Sequence, residues 1–345
     1  MYFGTLNPMD PELRAYMAAQ NVTGFSCDSR TRIAYPRGAV KLARFLRRER
    51  IDILHTHLFE PSVIGLPAGV LARTPGRMMT RHYSDYHTRI DKRWHVGLDQ
   101  MCTRLSHRVV AVSEHTAEHM VHVEGAPPEK IRVIKNGIDF DRVKPSGPEA
   151  VARVRAELAV GDAHVVLVPA RLHPEKGHSH LFRALPALRS RLDRRLVVLL
   201  AGAGPFEAAY RDEVRRLGCG EMVRFLGFRR DITDLMCAGD LVVVPSVAEA
   251  FGLVLAEALY LGRAVVATRV GGIPEIVDDG VDGILVPPGD RAALADAIGR
   301  LLDHPEERER LAGAGRQKVQ ERFSFETMTR AYEALYEELA RDGFR

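Results

Sequence analysis

The chain has 345 residues, 46% hydrophobic and 27% charged, which suits two ordinary domains and excludes a disordered, collagen-like or coiled-coil protein. No stretch reaches the roughly 18 uncharged apolar residues of a membrane span, Met1–Asp10 lacks a basic start followed by an apolar core, and Cys27, Cys102, Cys219 and Cys237 form no close pair, so a cytoplasmic chain with reduced thiols is expected. The net charge is +4, yet residues 1–150 hold 22 basic against 16 acidic residues, so the first half is suited to attract anionic lipid, nucleic acid or an acidic substrate.

In chain order, Lys41–Arg50 carries Leu42, Phe45 and Leu46 on one helical face and five bases elsewhere. It is either a helix that packs on a sheet with a wet basic side or one that lies on a membrane surface. Ile51–His55, Arg77–Arg81, Arg108–Ser113 and Ile131–Lys135 read as strands, separated by the helical patterns Glu60–Ala72, Arg93–Leu105 and Glu114–Glu124. Such alternation predicts βαβ units and a parallel sheet. Phe140–Glu149, with Pro145, Gly147 and Pro148, reads as a linker.

The pattern then restarts. Strands are predicted at His164–Pro169, Arg195–Ala201, Val223–Leu226, Leu241–Pro245, Ala264–Thr268 and Gly283–Val286. The unbroken apolar runs Leu196–Leu200 and Leu241–Val244 fit strands covered on both faces. Helical patterns lie at Gly177–Leu188, Phe206–Leu217, Asp231–Ala238, Leu253–Leu261, Arg291–Leu302 and Glu326–Arg341. Two doubly wound α/β domains with a cleft between them are expected, with ligands beyond the carboxyl ends of strands.

Four segments at such ends carry chemistry. In Ser246–Glu257 a buried strand turns into a helix, whose first N–H groups and positive dipole end suit a phosphate or sugar hydroxyls. Glu249 lies in that turn, and Glu257 lies on an otherwise apolar helix, where a buried carboxylate needs a partner. In Arg171–Gly177, Arg171 and Lys176 converge as two cations fit for a diphosphate, and Gly177 opens a helix. Gly202 and Gly204 form a Gly-x-Gly turn that lets backbone approach a nucleotide. Phe225–Arg229 follows another strand and is suited to hold a base through Phe228 and Arg229.

In order and spacing these segments resemble the donor half of retaining glycosyltransferases of family four. The resemblance extends to Asn136–Asp139, to the E-x7-E pair Glu249/Glu257, to Val270–Ile276 and to Leu285–Asp290. It implies an α/β chain of glycosyltransferase-B type: two facing Rossmann-like domains, an acceptor-side one over 1–143 completed by 326–345 and a donor-binding one over 144–325. It implies transfer from an NDP-sugar, which is a substrate, with no cofactor and no metal. Arg171 and Lys176 would neutralise the diphosphate. Glu249 would bind the transferred sugar, helped by the backbone N–H groups of Phe251, Gly252 and Leu253, and Glu257 would take the ribose hydroxyls. His82, after the strand Arg77–Arg81, matches the donor-sugar histidine, and Ser113 is expected to face the same cleft. No carboxylate nucleophile stands out, so the family's front-face route is implied.

The acceptor is not written in the sequence. A peripheral contact with anionic membrane fits the basic first half, whereas no aromatic-interleaved basic patch points to nucleic acid. His55/His57 and His173/His178/His180 have ligand-like spacings, but both sets lie at expected strand ends, and Asp139-Phe-Asp141 reads better as a turn. A phosphorylase or NDP-sugar epimerase of the same fold, or a non-catalytic nucleotide-sugar-binding protein, remains an alternative. Family members open with a further strand and a Gly-Gly loop, so Met1–Leu6 and Val22–Ser26 are expected to correspond to the second and third strands.

Overall fold

The computed structural model describes residues 1–83 and 93–341 of the chain. It divides into two compact units, one of 1–134 with 331–345 and one of 135–330. The division falls after Ile134 rather than after Val143, because Ile138 exchanges backbone hydrogen bonds with Phe323 and Phe325. Residues 342–345 of the expected closing segment lie outside the described residues.

The first unit runs β1 (Tyr2–Thr5), α1 (Pro11–Ala19), β2 (Thr23–Ser26), α2 (Tyr35–Arg48), β3 (Ile53–His57), α3 (Phe59–Ala72), β4 (Gly76–Arg81), α4 (Arg93–Leu105), β5 (Arg108–Ala111), α5 (Glu114–His122) and β6 (Ile131–Val133). Strands β3 to β6 form a parallel sheet in sequence order, whereas β1 and β2, among the described residues, pair only with each other, also in parallel. Strand β3 starts at Ile53, two positions beyond the expected Ile51. The reason is local: Arg50 turns left-handed (φ 49°), and the Ile51 N–H still donates to Leu46 O of helix α2.

A buried ionic set braces the end of β4. The Arg81 guanidinium is 1% exposed; it lies 2.7 Å from Asp99 on α4 and bonds Glu124 just after α5, while the Tyr83 hydroxyl also donates to Asp99. Removing one member of such a set strands a buried charge and typically costs about 3–5 kcal/mol.

The second unit runs α6 (Pro148–Glu157), β7 (His164–Pro169), α7 (His178–Arg191), β8 (Leu196–Ala201), α8 (Glu207–Arg216), β9 (Val223–Gly227), α9 (Ile232–Ala238), β10 (Leu241–Val244), α10 (Leu253–Tyr260), β11 (Ala264–Thr268), α11 (Ile273–Ile276), β12 (Ile284–Val286), α12 (Arg291–Asp303) and α13 (Pro305–Arg322). Its six parallel strands lie in the order β12-β11-β10-β7-β8-β9. The chain thus winds outward from β7 to β9, then returns to the other side of β7. Strands β8 and β10 are buried throughout, as their apolar runs predict. The expected linker ends early, since Pro148 begins α6 at a first-turn position where its missing N–H costs nothing.

A final helix, α14 (Phe325–Arg341), joins the units in sequence. Its last turns pack on the first sheet through polar contacts. Tyr332 and Tyr336 hydroxyls bond Thr80 and His55 at 3.0 and 2.7 Å, and Glu338 pairs with Arg108 and Arg132. No helix among the described residues is long and apolar enough to cross a membrane.

Candidate active site

In the second unit, the strand order reverses between β7 and β10. In an open parallel sheet that switch leaves a crevice outside the carboxyl ends of the two strands, because the loops that follow them depart to opposite sides. The loop after β7 holds Arg171, Glu175 and Lys176, and the loop after β10 holds Ser246 and Glu249. They meet there: Lys176 Nζ donates to Glu249 Oε2 at 2.7 Å, both side chains being less than one-fifth exposed.

What brings these loops so close is glycine. A Cβ placed on Gly177 would lie 1.8 Å from Pro245 O, and one on Gly271, in the loop after β11, 1.6 Å from Glu249 O. Cβ atoms on Gly202 and Gly204, in the loop after β8, would lie 2.0 Å from Ala170 O and 2.3 Å from Leu172 O. Gly177 and Gly271 also have φ of +69° and +54°, a region that side chains disfavour. Four strand-end loops therefore stack backbone against backbone. Hydrogen bonds stitch the stack: Val247 N to Glu175 O (2.7 Å), Gly272 N to Glu249 O (3.1 Å) and Leu172 N to Ala203 O (3.1 Å). Ser246, itself buried, gives its carbonyl to the Thr268 hydroxyl.

Helix α10 opens at Gly252 (φ +100°), whose α-carbon lies against the Glu249 side chain; Leu255 N donates back to Gly252 O at 2.9 Å, while the N–H groups of Leu253 and Val254 precede any helical carbonyl they could reach. Phe251 turns inward and packs on Phe323. Leu253 is partly exposed. Glu257, one turn further along α10, is half-buried, and burial raises its carboxyl pKa above the usual range. Arg171 is mostly exposed and pairs with Glu175 at 2.7 Å.

The remaining expected residues separate into two kinds. Phe228 projects into solvent, 76% exposed, just after Gly227 at φ +65°. Arg229 is not a free cation: its guanidinium grips both oxygens of Asp231 at 2.8 and 2.6 Å and Glu157 at 2.8 Å. His178, the first residue of α7, is fully buried between Phe182 and Tyr210, and burial pushes its pKa down to about 4. Sequence reading gave no role to Glu175 or Gly271; the glycine pair Gly271–Gly272 after a buried strand was the available signal for the second.

In the first unit, His82 follows β4 directly, and its Nε2 lies 3.0 Å from Nδ1 of His57 at the end of β3. Ser113 does not face a cleft. It is fully buried and caps α5, its hydroxyl accepting from Thr116 N at 3.1 Å. Asp139 accepts from Asp141 N at 2.9 Å, the turn expected of Asp-x-Asp here. Both ring nitrogens of His55 are already bonded, to Tyr336 and Thr80. Among the described residues no group of three or more His, Cys, Asp or Glu is arranged to hold a metal ion.

Two family models match the chain: Glycosyltransferase Family 4 over residues 8–142 and Glycosyl transferases group 1 over 152–318. D-inositol 3-phosphate glycosyltransferase of Saccharomonospora viridis is 34% identical over 88% of this chain and 74% of its own length. N-acetyl-alpha-D-glucosaminyl L-malate synthase of Bacillus anthracis is 29% identical over 88% of this chain and 79% of its own. Among solved structures, Anabaena HepE in complex with UDP-glucose is 27% identical, with a TM-score of 0.85 over 98% of this chain and 92% of that one. On the strength of both family matches and of the two parallel, doubly wound sheets, the chain belongs to the group 1, family 4 glycosyltransferases and has their two-domain glycosyltransferase-B fold.

Proposed function

We propose that the protein transfers a sugar from a nucleotide-sugar to an acceptor hydroxyl, with retention of configuration and without a metal. The observation that carries this reading is the Lys176–Glu249 pair at the β7/β10 switch, with Arg171 on the same loop and the open N-terminus of α10 beside it. Anabaena HepE has been solved with UDP, with UDP and glucose, and with UDP-glucose, which supports a nucleotide-sugar as donor.

In this reading the bond from the anomeric carbon to the β-phosphate oxygen breaks, and the bond to the acceptor oxygen forms on the same face. The acceptor proton passes to the departing phosphate oxygen. The charge that develops there meets fixed cations, so no water has to reorganise around it as the bond breaks. Lys176 has three donors, so it can keep Glu249 and still reach a phosphate oxygen. Arg171 keeps further N–H groups free after bonding Glu175. Glu249 accepts from hydroxyls of the transferred sugar, Glu257 from the ribose, and the backbone N–H groups of Phe251, Gly252 and Leu253 add to the anion site. Gly202 and Gly204 let backbone approach the nucleotide, and exposed Phe228 offers the base a stacking face. His82 contacts the transferred sugar. Arg229, held by Asp231 and Glu157, shapes the base end of the site through its loop and not as a phosphate cation.

The names of two relatives contain inositol 3-phosphate and malate, both anionic hydroxyl compounds. An anionic acceptor matches the excess of 22 basic over 16 acidic residues in 1–150. A peripheral contact with anionic lipid at the cytoplasmic face is supported by α2, on which Arg37, Val40, Lys41, Arg44, Arg47 and Arg48 are all exposed.

With a panel of UDP-, GDP- and ADP-sugars, nucleotide release by the wild type should persist in chelator, while Glu249→Ala and Lys176→Ala each lose about 100-fold or more with unchanged folding; full turnover by either variant removes the assignment. Donor hydroxyls hydrogen-bond the ionised form of Glu257, so UDP-glucose affinity is complete above its raised pKa and falls as pH drops through it. Titration calorimetry should show this limb vanish in Glu257→Gln, along with about tenfold of affinity. Finally, anionic vesicles should co-sediment the protein at low salt and release it at high salt, with Arg37→Glu/Arg44→Glu abolishing capture; equal capture by neutral vesicles argues against the lipid contact.

A further inference from the structure

Three imidazoles stand in a row at the carboxyl ends of β3 and β4. The inner one, His55, is fixed: Nδ1 is bonded to the Tyr336 hydroxyl at 2.7 Å and Nε2 to the Thr80 hydroxyl at 2.8 Å, and Thr80 is itself bonded to Tyr332 at 3.0 Å. The ring of His57 lies on that of His55, with centroids 4.1 Å apart. The outer contact is Nδ1 of His57 to Nε2 of His82 at 3.0 Å, with the rings within 27° of parallel. The backbone on either side of His82 is anchored independently, by Arg81 on Asp99 and Glu124 and by Tyr83 on Asp99. The ring alone would remain free to turn about its side-chain bonds, and the His57 contact removes that freedom.

We propose that His57 is a positioning residue for His82: by occupying Nε2 it fixes the ring and its tautomer and presents Nδ1 of His82 to the transferred sugar. The proposal deepens, and rests on, the reading of His82 as a sugar contact. One hydrogen lies between the two rings, so one nitrogen donates and the other accepts. Which ring nitrogen of a histidine is protonated follows from the hydrogen bond that the other makes. The contact fails when both rings are protonated, since two imidazolium ions would face N–H to N–H. Burial lowers both pKa values, that of His82 to about 4, and the His57 ring adds to the lowering. The groups around the pair preserve neutrality. His55 and Thr80 are polar but uncharged, Tyr332 and Tyr336 on α14 have raised pKa values, and Arg81 is neutralised by Asp99 and Glu124. The His57 ring is desolvated by its histidine neighbours but keeps an accessible surface outside the hydrophobic core, so its replacement opens no core cavity.

The test uses the full chain labelled with 15N-histidine and UDP-glucose as the probe. In the wild type, His82 should show one tautomer at neutral pH; in His57→Leu it should show a mixture. Nucleotide release from UDP-glucose by His57→Leu should fall about ten- to a hundredfold in kcat with little change in KM. His57→Asn, whose amide reaches the Nδ1 position, should recover most of the rate and the single tautomer. Wild-type kcat or an unchanged single tautomer in His57→Leu overturns the proposal, as does a His57→Asn no better than leucine. Undiminished release by His82→Ala would instead overturn the sugar-contact reading beneath it.

Discussion

The proposed donor site depends on the direct approach of peptide to peptide at the carboxyl ends of β7, β8, β10 and β11. Gly177 lies against Pro245 O, Gly202 against Ala170 O, Gly204 against Leu172 O and Gly271 against Glu249 O, each at a distance that no side chain could share. Loops so stacked cannot drift independently. The Glu175 carbonyl ties the cation loop to Val247, and the Glu249 carbonyl ties the carboxylate loop to Gly272. The 2.7 Å separation of Lys176 and Glu249 is set by this backbone and not by the two side chains finding each other in solvent.

That geometry has an electrostatic consequence. Before any donor arrives, Lys176 and Arg171 are already held by Glu249 and Glu175. Both cations lie on the loop after β7, and each carboxylate holds its partner while leaving donors unused. Preorganisation of this kind stabilises developing charge, since its orientation is fixed during folding. Arg229 illustrates the opposite case. Its charge is balanced by two carboxylates, Asp231 and Glu157, which take three of its five N–H donors, so this cation ties its own loop to α6.

The parallel sheets and most of their elements were legible because buried strands such as Leu196–Ala201 and Leu241–Val244 leave unbroken apolar text. Helices α1, α6 and α13 were missed, and each starts at a proline, Pro11, Pro148 or Pro305, that reads locally as a breaker but sits at a helix first turn. The strand-end positions of Arg171, Lys176 and Glu249 were readable because β7 and β10 leave clear apolar runs just before them. The state of Arg229 was not, since Glu157 lies far away in sequence. Ser113 was misplaced because a strand-closing serine and a helix cap look alike until Thr116 is seen to donate to it. The His57–His82 bond was beyond reach for a similar reason: spacing puts His55 and His57 on the same face of β3, but only the β3–β4 register sets His57 beside Thr80, two residues before His82.

The first unit shows how far fixation extends beyond the donor loops. Its histidine row is held from α14, and its β4 end from the buried Arg81 set. The proposed donor site, however, stands on the glycine contacts of the second unit, and a matched pair of substitutions isolates them. Gly271 and Gly218 have φ of +54° and +65°, so alanine brings similar backbone strain of about 1–2 kcal/mol at either position, but only Gly271 has backbone within reach of the new Cβ. Calorimetric affinity for UDP-glucose should fall at least tenfold in Gly271→Ala and stay unchanged in Gly218→Ala, with both variants cooperatively folded. Equal affinity in the two would contradict the dependence of the site on backbone stacking.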